Sequence, residues 1–181
     1  MVNMTAKPAD KATQILNTYD LIAFRTDQEA LAEQGFTRSD ADIISIDLSK
    51  RLSFFLQKTW IKLAIQRGVQ FEVTYGSSLE NAECRKYFMQ NTMQFVKLTK
   101  GKNIIFASES SSQIYQRSPA DVLAIANMLG ITNQQDALAT VRENCARAFQ
   151  HAHHRKTFKG VAEIVAVQPS QVETKMDLSL L

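Results

Sequence analysis

No stretch of the 181 residues approaches the roughly eighteen uninterrupted apolar positions that a membrane-crossing helix needs. The opening segment, MVNMTAKPADK, is polar and lacks the apolar core of a secretory signal, so secretion is not expected. Cysteine is scarce. Cys84 and Cys145 make neither a disulfide framework nor a zinc-ligand pattern, and both fall in helix-period segments, as reduced, buried thiols of an intracellular protein would. Charge of one sign is also scarce: 21 Lys and Arg against 18 Asp and Glu leave a formal +3, too little to argue for nucleic acid alone. There is no Gly-rich phosphate loop, no nucleophile elbow and no His-Glu-x-x-His, and neither an internal repeat nor a low-complexity tract.

What remains is an ordinary globular composition, 45% hydrophobic and 22% charged, long enough for one domain with a sizeable core. Short apolar runs alternate with helix-period segments. Strands are expected at 20–24, 42–46, 70–76 and 103–108. Between them, Thr26-Asp27-Gln28-Glu29 reads as a capping box opening a helix that stops at Gly35, and helices are expected over 60–68 and about 83–100. Ser118-Pro119 with Asp121 reads as a helix entrance, with Gly130 as its end. A second box, Thr132 to Gln135, opens a helix to about residue 150, whose apolar arc is Ala137, Leu138, Val141, Cys145, Ala148 and Phe149. Strand and helix in repeated succession predict a parallel α/β fold. Residues 1–18 read as an extension and 161–181 as a poorly ordered tail containing one apolar run, VAEIVAV.

Candidate sites are few. Asp47, Glu72 and Glu109 lie in or near strands, where α/β folds keep their chemistry, and would be the acids of a metal-dependent hydrolase. The plainer reading makes Asp47 and Glu109 loop residues and Glu72 half of an ion pair. His151, His153 and His154 crowd together without an adjacent carboxylate or cysteine, so they make no ligand set; favourable interaction with a helix C-terminus explains them as well. The basic residues are better placed. Arg142, Arg147, Arg155, Lys156 and Lys159 face one acid, Glu143, with Arg147 at ion-pair spacing from it. Lys86, Gln90, Gln94 and Lys97 form one solvent-facing stripe, with Phe88, Met89, Met93, Phe95 and Val96 turned toward the core.

The segments RGVQFEVTYG (67–76), RKYF (85–88), GKNIIFAS (101–108), SPADVLAIANMLG (118–130), ENCARAF (143–149) and HRKTFKG (154–160) occur in that order. Together, across about 19–160, they resemble the thirty-kilodalton protein subunit shared by eukaryotic ribonuclease P and ribonuclease MRP. The resemblance implies an α/β fold with parallel strands and outer helices, an incomplete TIM-type barrel related to the PHP hydrolases. It implies a non-catalytic RNA-binding subunit of an enzyme whose RNA removes the 5′ leader of precursor tRNA. The implied partners are ribonuclease P RNA, MRP RNA and a small α/β protein subunit, with precursor tRNA met indirectly and no membrane. No cofactor is implied for the chain itself, magnesium belonging to the RNA, and the implied location is nucleus and nucleolus. Carried over, Arg155 and Lys156 of HRKT and Lys100 and Lys102 around GKN are candidate phosphate contacts, joined by Lys86 and Lys97 of the helix stripe. The family begins with further βα units that residues 1–18 are too short to supply, so the chain is expected to lack that portion and to need a partner over the gap.

Overall fold

The computed structural model describes Leu16 and residues 18–157. The tail with its VAEIVAV run lies outside the described residues. Four strands, β1 (Ala23–Arg25), β2 (Ile43–Ile46), β3 (Gln70–Thr74) and β4 (Ile104–Ala107), form one sheet in the order β1-β2-β3-β4, every pair parallel. Between them run α1 (Glu29–Arg38), α2 (Lys58–Gln66), the short α3 (Gly76–Glu80) and α4 (Ala82–Thr99). After β4 come α5 (Pro119–Met128), α6 (Gln134–Val141) and α7 (Glu143–Thr157). Strand order that follows chain order, without a reversal, is that of a βα-barrel arc rather than of a doubly wound sheet.

Register sorts the strand residues onto two faces. Phe24, Ile44, Phe71 and Ile104 share one row, and Ile46, Val73 and Phe106 share another on the same side. This face takes the helices: Phe36 of α1, Trp60 and Ile61 of α2, Phe88 and Phe95 of α4, and Val122 and Ala126 of α5 are buried in one cluster with its β2, β3 and β4 residues, while Phe24 of β1 clusters with Ile22 and Ala41. Phe71 stacks on Phe36 at 5.9 Å and meets Phe95 edge-on at 5.3 Å between ring centroids. The opposite face carries Arg25, Ser45, Glu72 and Ile105 in one row. It is the concave side of the arc and is markedly more polar.

Several boundaries differ from the sequence reading. Asp20 and Leu21 precede β1 rather than belonging to it, and Tyr75 and Gly76 leave β3 to enter α3. Thr26 does not cap α1: its Oγ1 accepts from the Gln28 N–H at 3.1 Å in a local turn, and α1 starts beyond it without a side-chain cap. Gly35 does not end α1 but lies inside it, because a Cβ there would stand 2.1 Å from the Phe24 ring. The glycine permits close approach of helix to strand, not a left-handed turn. At α4 the expected stop is real, with Lys100 (φ 58°) and Gly101 (φ 74°) both left-handed. The helix entrance expected at Ser118-Pro119 is real, and Ser118 and Asp121 also form a capping box that the sequence reading did not name.

The last expected helix is two. The cap of α6 is Asn133, whose Oδ1 accepts from the Gln135 and Asp136 N–H groups, rather than Thr132. At Arg142 the backbone leaves helical space (φ −130°, ψ −82°), and α7 starts on a new axis. The buried line therefore becomes Ala137 and Thr140, then Asn144, Ala148 and Ala152, leaving Phe149 exposed. Met93 of α4 is likewise exposed rather than core. Cys84 and Cys145 are free and half-buried; burial pushes the Cys145 thiol up.

Candidate nucleic-acid interface

The two ends of the sheet are built differently. At the N-terminal ends of the strands, α7 crosses beneath the sheet with one face spaced for the job. Asn144 Nδ2 donates to the Ile104 carbonyl at the start of β4 (2.8 Å), and the His151 ring lies against Gly68 just before β3. Asp42, just before β2, is fully buried and is the hub. Its carboxylate accepts from the Ile22 N–H (2.9 Å), His151 Nδ1 (2.8 Å), Arg155 Nε (3.2 Å) and Arg155 Nη2 (3.0 Å). Burial raises its pKa, but the bonds from His151, Arg155 and the Ile22 amide outweigh that and hold it below the ordinary carboxylate range. Arg155 also reaches the Tyr19 and Asp20 carbonyls, and Lys156 Nζ pairs with Asp20 at 2.6 Å. Arg155, placed by sequence among the phosphate contacts, is thus a side chain only 9% exposed that ties α7 to the approach to β1 and β2.

At the C-terminal ends, two of the three acids weighed as catalytic, Asp47 and Glu109, are drawn to basic or hydroxyl partners, whereas Glu72, mid-strand, makes no ion pair with a described residue. Arg25 pairs with Glu109 and lies 3.8 Å from Asp47, bridging the two edge strands across the concave face. Asp47 accepts from the Ser49 amide and hydroxyl and pairs with Lys50 at 3.1 Å; burial raises its pKa, and these partners more than offset it. Glu72 shares the row of Arg25 and Ser45. Its Oε2 and Ser45 Oγ are buried without a hydrogen-bond partner among the described residues. The histidines stand at the other end of the strands: His151 is bonded to Asp42, while His153 and His154 face outward. Among the described residues no group of three His, Cys, Asp or Glu side chains is placed to hold a metal ion.

The remaining basic candidates lie elsewhere. Lys86 and Lys97 are exposed on α4, on one stripe with Gln90 and Gln94 as the sequence predicts, and Lys100 and Lys102 flank Gly101. Unlike Arg155 and Lys156, none of these four lysines is hydrogen-bonded or ion-paired to a described residue. Lys102 shares a depression with Asp136, Glu143 and Arg147, so its field is partly cancelled, and Arg147 bonds Asn144 (3.4 Å) instead of Glu143. The sequence reading missed three participants. Asp42 sat unremarked beside a strand, and Arg25 at the end of one. Phe55, in a run of two adjacent aromatics where alternation permits only one to be buried, is 86% exposed beside the α4 stripe.

The structure is thus a βα-barrel segment whose strand-end acids Asp47 and Glu109 are ion-paired and whose outer helix carries lysines without a described partner. The profile of the family described as RNase P subunit p30 matches residues 3–157, and the chain belongs to that family. It is 31% identical over 156 residues to the "Ribonuclease P protein subunit p30" of Mus musculus, covering 86% of this chain and 58% of the mouse protein. To the "Probable ribonuclease P protein subunit 3" of Schizosaccharomyces pombe it is 28% identical over 162 residues, 88% of this chain and 68% of the yeast protein. The chain therefore spans between about half and two-thirds of these curated relatives. Among solved structures it is similar to a chain of an archaeal ribonuclease P with mature tRNA, at a TM-score of 0.68 and 18% identity, over 87% of this chain and 68% of that one. That likeness supports the barrel-type fold.

Proposed function

We propose that this chain is a non-catalytic, RNA-binding protein subunit of ribonuclease P, and of ribonuclease MRP, supporting removal of the 5′ leader from precursor tRNA. Membership of the p30 family over nearly the whole described chain carries the reading. The geometry adds that the strand-end carboxylates are paired with Arg25 and Lys50, while Lys86 and Lys97 are left without a described partner, available to phosphate. In this reading the chain meets ribonuclease P RNA and MRP RNA directly, precursor tRNA indirectly, and a small α/β protein subunit at a separate surface. Magnesium sits on the RNA, and the complex works in the nucleus and nucleolus. Arg155 is set aside from the RNA-contact set because its guanidinium is held by Asp42; Lys86, Lys97, Lys100 and Lys102 remain in it.

The test is recovery of the tagged full chain from cells, probed for ribonuclease P RNA and for precursor-tRNA 5′ cleavage. The comparison is a Lys86→Ala/Lys97→Ala variant. The wild type should retain RNA and cleavage activity. The variant should release RNA at lower salt, its log-affinity slope shallower by about 0.7 for each lost single-strand phosphate contact. Recovery of protein partners without RNA would overturn the RNA-binding reading.

A further inference from the structure

We propose that the cleft between the β2–α2 loop and helix α4 is a stacking site for an unpaired RNA base, with the Phe55 ring as its platform. This rests on the RNA-binding reading above and deepens it by naming the ligand, a single-stranded or looped-out nucleotide. The loop, which bends at Ser53 and Phe54, alternates between buried and exposed residues. Phe54 is buried to 7% exposure, Leu52 and Leu56 are half-buried, and Arg51, Ser53, Phe55 and Gln57 face out. It is not a free tip: Asn91 Nδ2 on α4 donates to both the Leu48 (3.0 Å) and Lys50 (2.8 Å) carbonyls, and the Ser53 hydroxyl donates to the Asp27 carbonyl. Phe55 is thus held outward by anchored neighbours, its ring 86% exposed.

The cleft measures about 450 Å³, and its lining includes Arg51, Tyr87, Gln90 and Gln94 as well as Phe55. Each part suits a nucleotide. Any base offers a π-face to an aromatic ring, and the two glutamine amides carry both donors and acceptors for a base edge. No carboxylate lines the cleft, and the Arg51 guanidinium makes no ion pair with a described residue. Lys86 and Lys97 flank the two glutamines on the same stripe, eleven residues and hence roughly 16 Å apart along the helix, so a backbone can be held on both sides of a stacked base. A protein-docking patch would instead gather apolar side chains at its centre. Here the other apolar residues of the lining are buried (Phe54, Phe95) or half-buried (Leu52, Leu56), and the exposed residues beside Phe55 in the loop are arginine, serine and glutamine. Paired RNA hides its base faces, so the site selects unpaired nucleotides.

The experiment is fluorescence anisotropy on the full chain with a short polyuridine strand and with an RNA duplex, comparing Phe55→Ala, Phe55→Trp and Lys86→Ala/Lys97→Ala. Phe55→Ala should weaken the single strand about tenfold, as loss of one base-stacking contact does, with an unchanged salt slope and unchanged duplex binding. Phe55→Trp should restore it, and the melting temperature should not move, since the ring packs little. If the lysine variant weakens binding and Phe55→Ala does not, the stacking site is wrong and the RNA-binding reading survives. If wild type binds no RNA, both fall. A Phe55→Ala chain that keeps its RNA affinity but loses its protein subunit would make the ring a protein contact and overturn the proposal.

Discussion

Replacing Asp42 by Asn keeps the side chain's shape, removes its charge and strands a buried cation. The carboxylate accepts four hydrogen bonds, two from the Arg155 guanidinium, one from His151 and one from the Ile22 amide. An amide presents one acceptor and turns two donor hydrogens toward groups that are themselves donors. Removing one partner of a buried ion pair costs about 3–5 kcal/mol, because the other charge stays buried and uncompensated. Arg155 keeps the Tyr19 and Asp20 carbonyls, each at 3.4 Å, which places the expected loss near the lower bound, about 3 kcal/mol. For a chain of this size each kcal/mol moves the midpoint by about 2–4 °C, so the melting temperature should fall by roughly 6–12 °C. Circular dichroism melts at neutral pH, with urea titrations alongside, measure it. A double variant, Asp42→Asn with Arg155→Met, should recover part of the loss, since the stranded cation is gone. A fall of less than about 2 °C for Asp42→Asn would refute the view that this carboxylate fastens α7 under the sheet.

The same group sets a pH dependence: because its folded pKa is lowered, its stabilisation is present above the unfolded value of about 3.9 and is lost as pH falls through the folded value. Acid titration of stability should therefore be shallower in Asp42→Asn than in wild type. Gly35→Ala should destabilise by about 1–3 kcal/mol through overlap with the Phe24 ring, and Phe24→Leu should relieve it; equal melting temperatures for Gly35→Ala and wild type would contradict the close-approach argument. Ser118→Ala removes the hydroxyl that accepts from the Asp121 amide, and should cost about 1 kcal/mol in urea titrations without altering RNA retention.

The fold was legible where periodicity and punctuation agree. The four parallel strands and the helix entrance at Ser118-Pro119 follow from apolar runs and a Ser-Pro-x-Asp sequence. Punctuation misled where a residue served tertiary packing. Gly35 read as a stop because glycine is the usual αL residue, yet the Phe24 ring is what requires it. Arg142 carries no sequence sign of a break. The continuous arc of Ala137, Leu138, Val141 and Cys145 was plausible until the Asn144 side chain turned toward the Ile104 carbonyl. A spacing of four through Thr140, Asn144, Ala148 and Ala152 was the available signal, and the larger apolar residues outweighed it. The basic residues were legible as a set but not in their roles, because charge in sequence does not say which cations already have acids. Arg155 and Lys156 meet Asp42 and Asp20 across more than a hundred residues.

On the proposed RNA-binding reading, that pairing matters more than the small positive excess of the chain. At the N-terminal ends of the strands, acids and bases are matched: Asp42 with Arg155 and His151, and Asp20 with Lys156, so these charges fasten α7 and add little outward field. At the C-terminal ends, Arg25 and Lys50 neutralise Asp47 and Glu109, which removes the repulsion that unpaired carboxylates would offer an approaching phosphate. On the outer helix and the loop beside it, Arg51, Lys86 and Lys97 are among the cations without an ion pair to a described residue, and Arg51 lines the same cleft as the one exposed ring in that loop. Affinity for a polyanion depends on cations free to displace counterions, not on the net count. Neutralising Lys86 and Lys97 should therefore reduce RNA binding and its salt slope more than neutralising Arg155 and Lys156, the two cations of the α7 ion pairs, once stability is matched. Filter binding across a salt series on the two double variants measures the difference. Equal slopes would show that net charge, rather than the placement of unpaired cations, governs the proposed RNA binding.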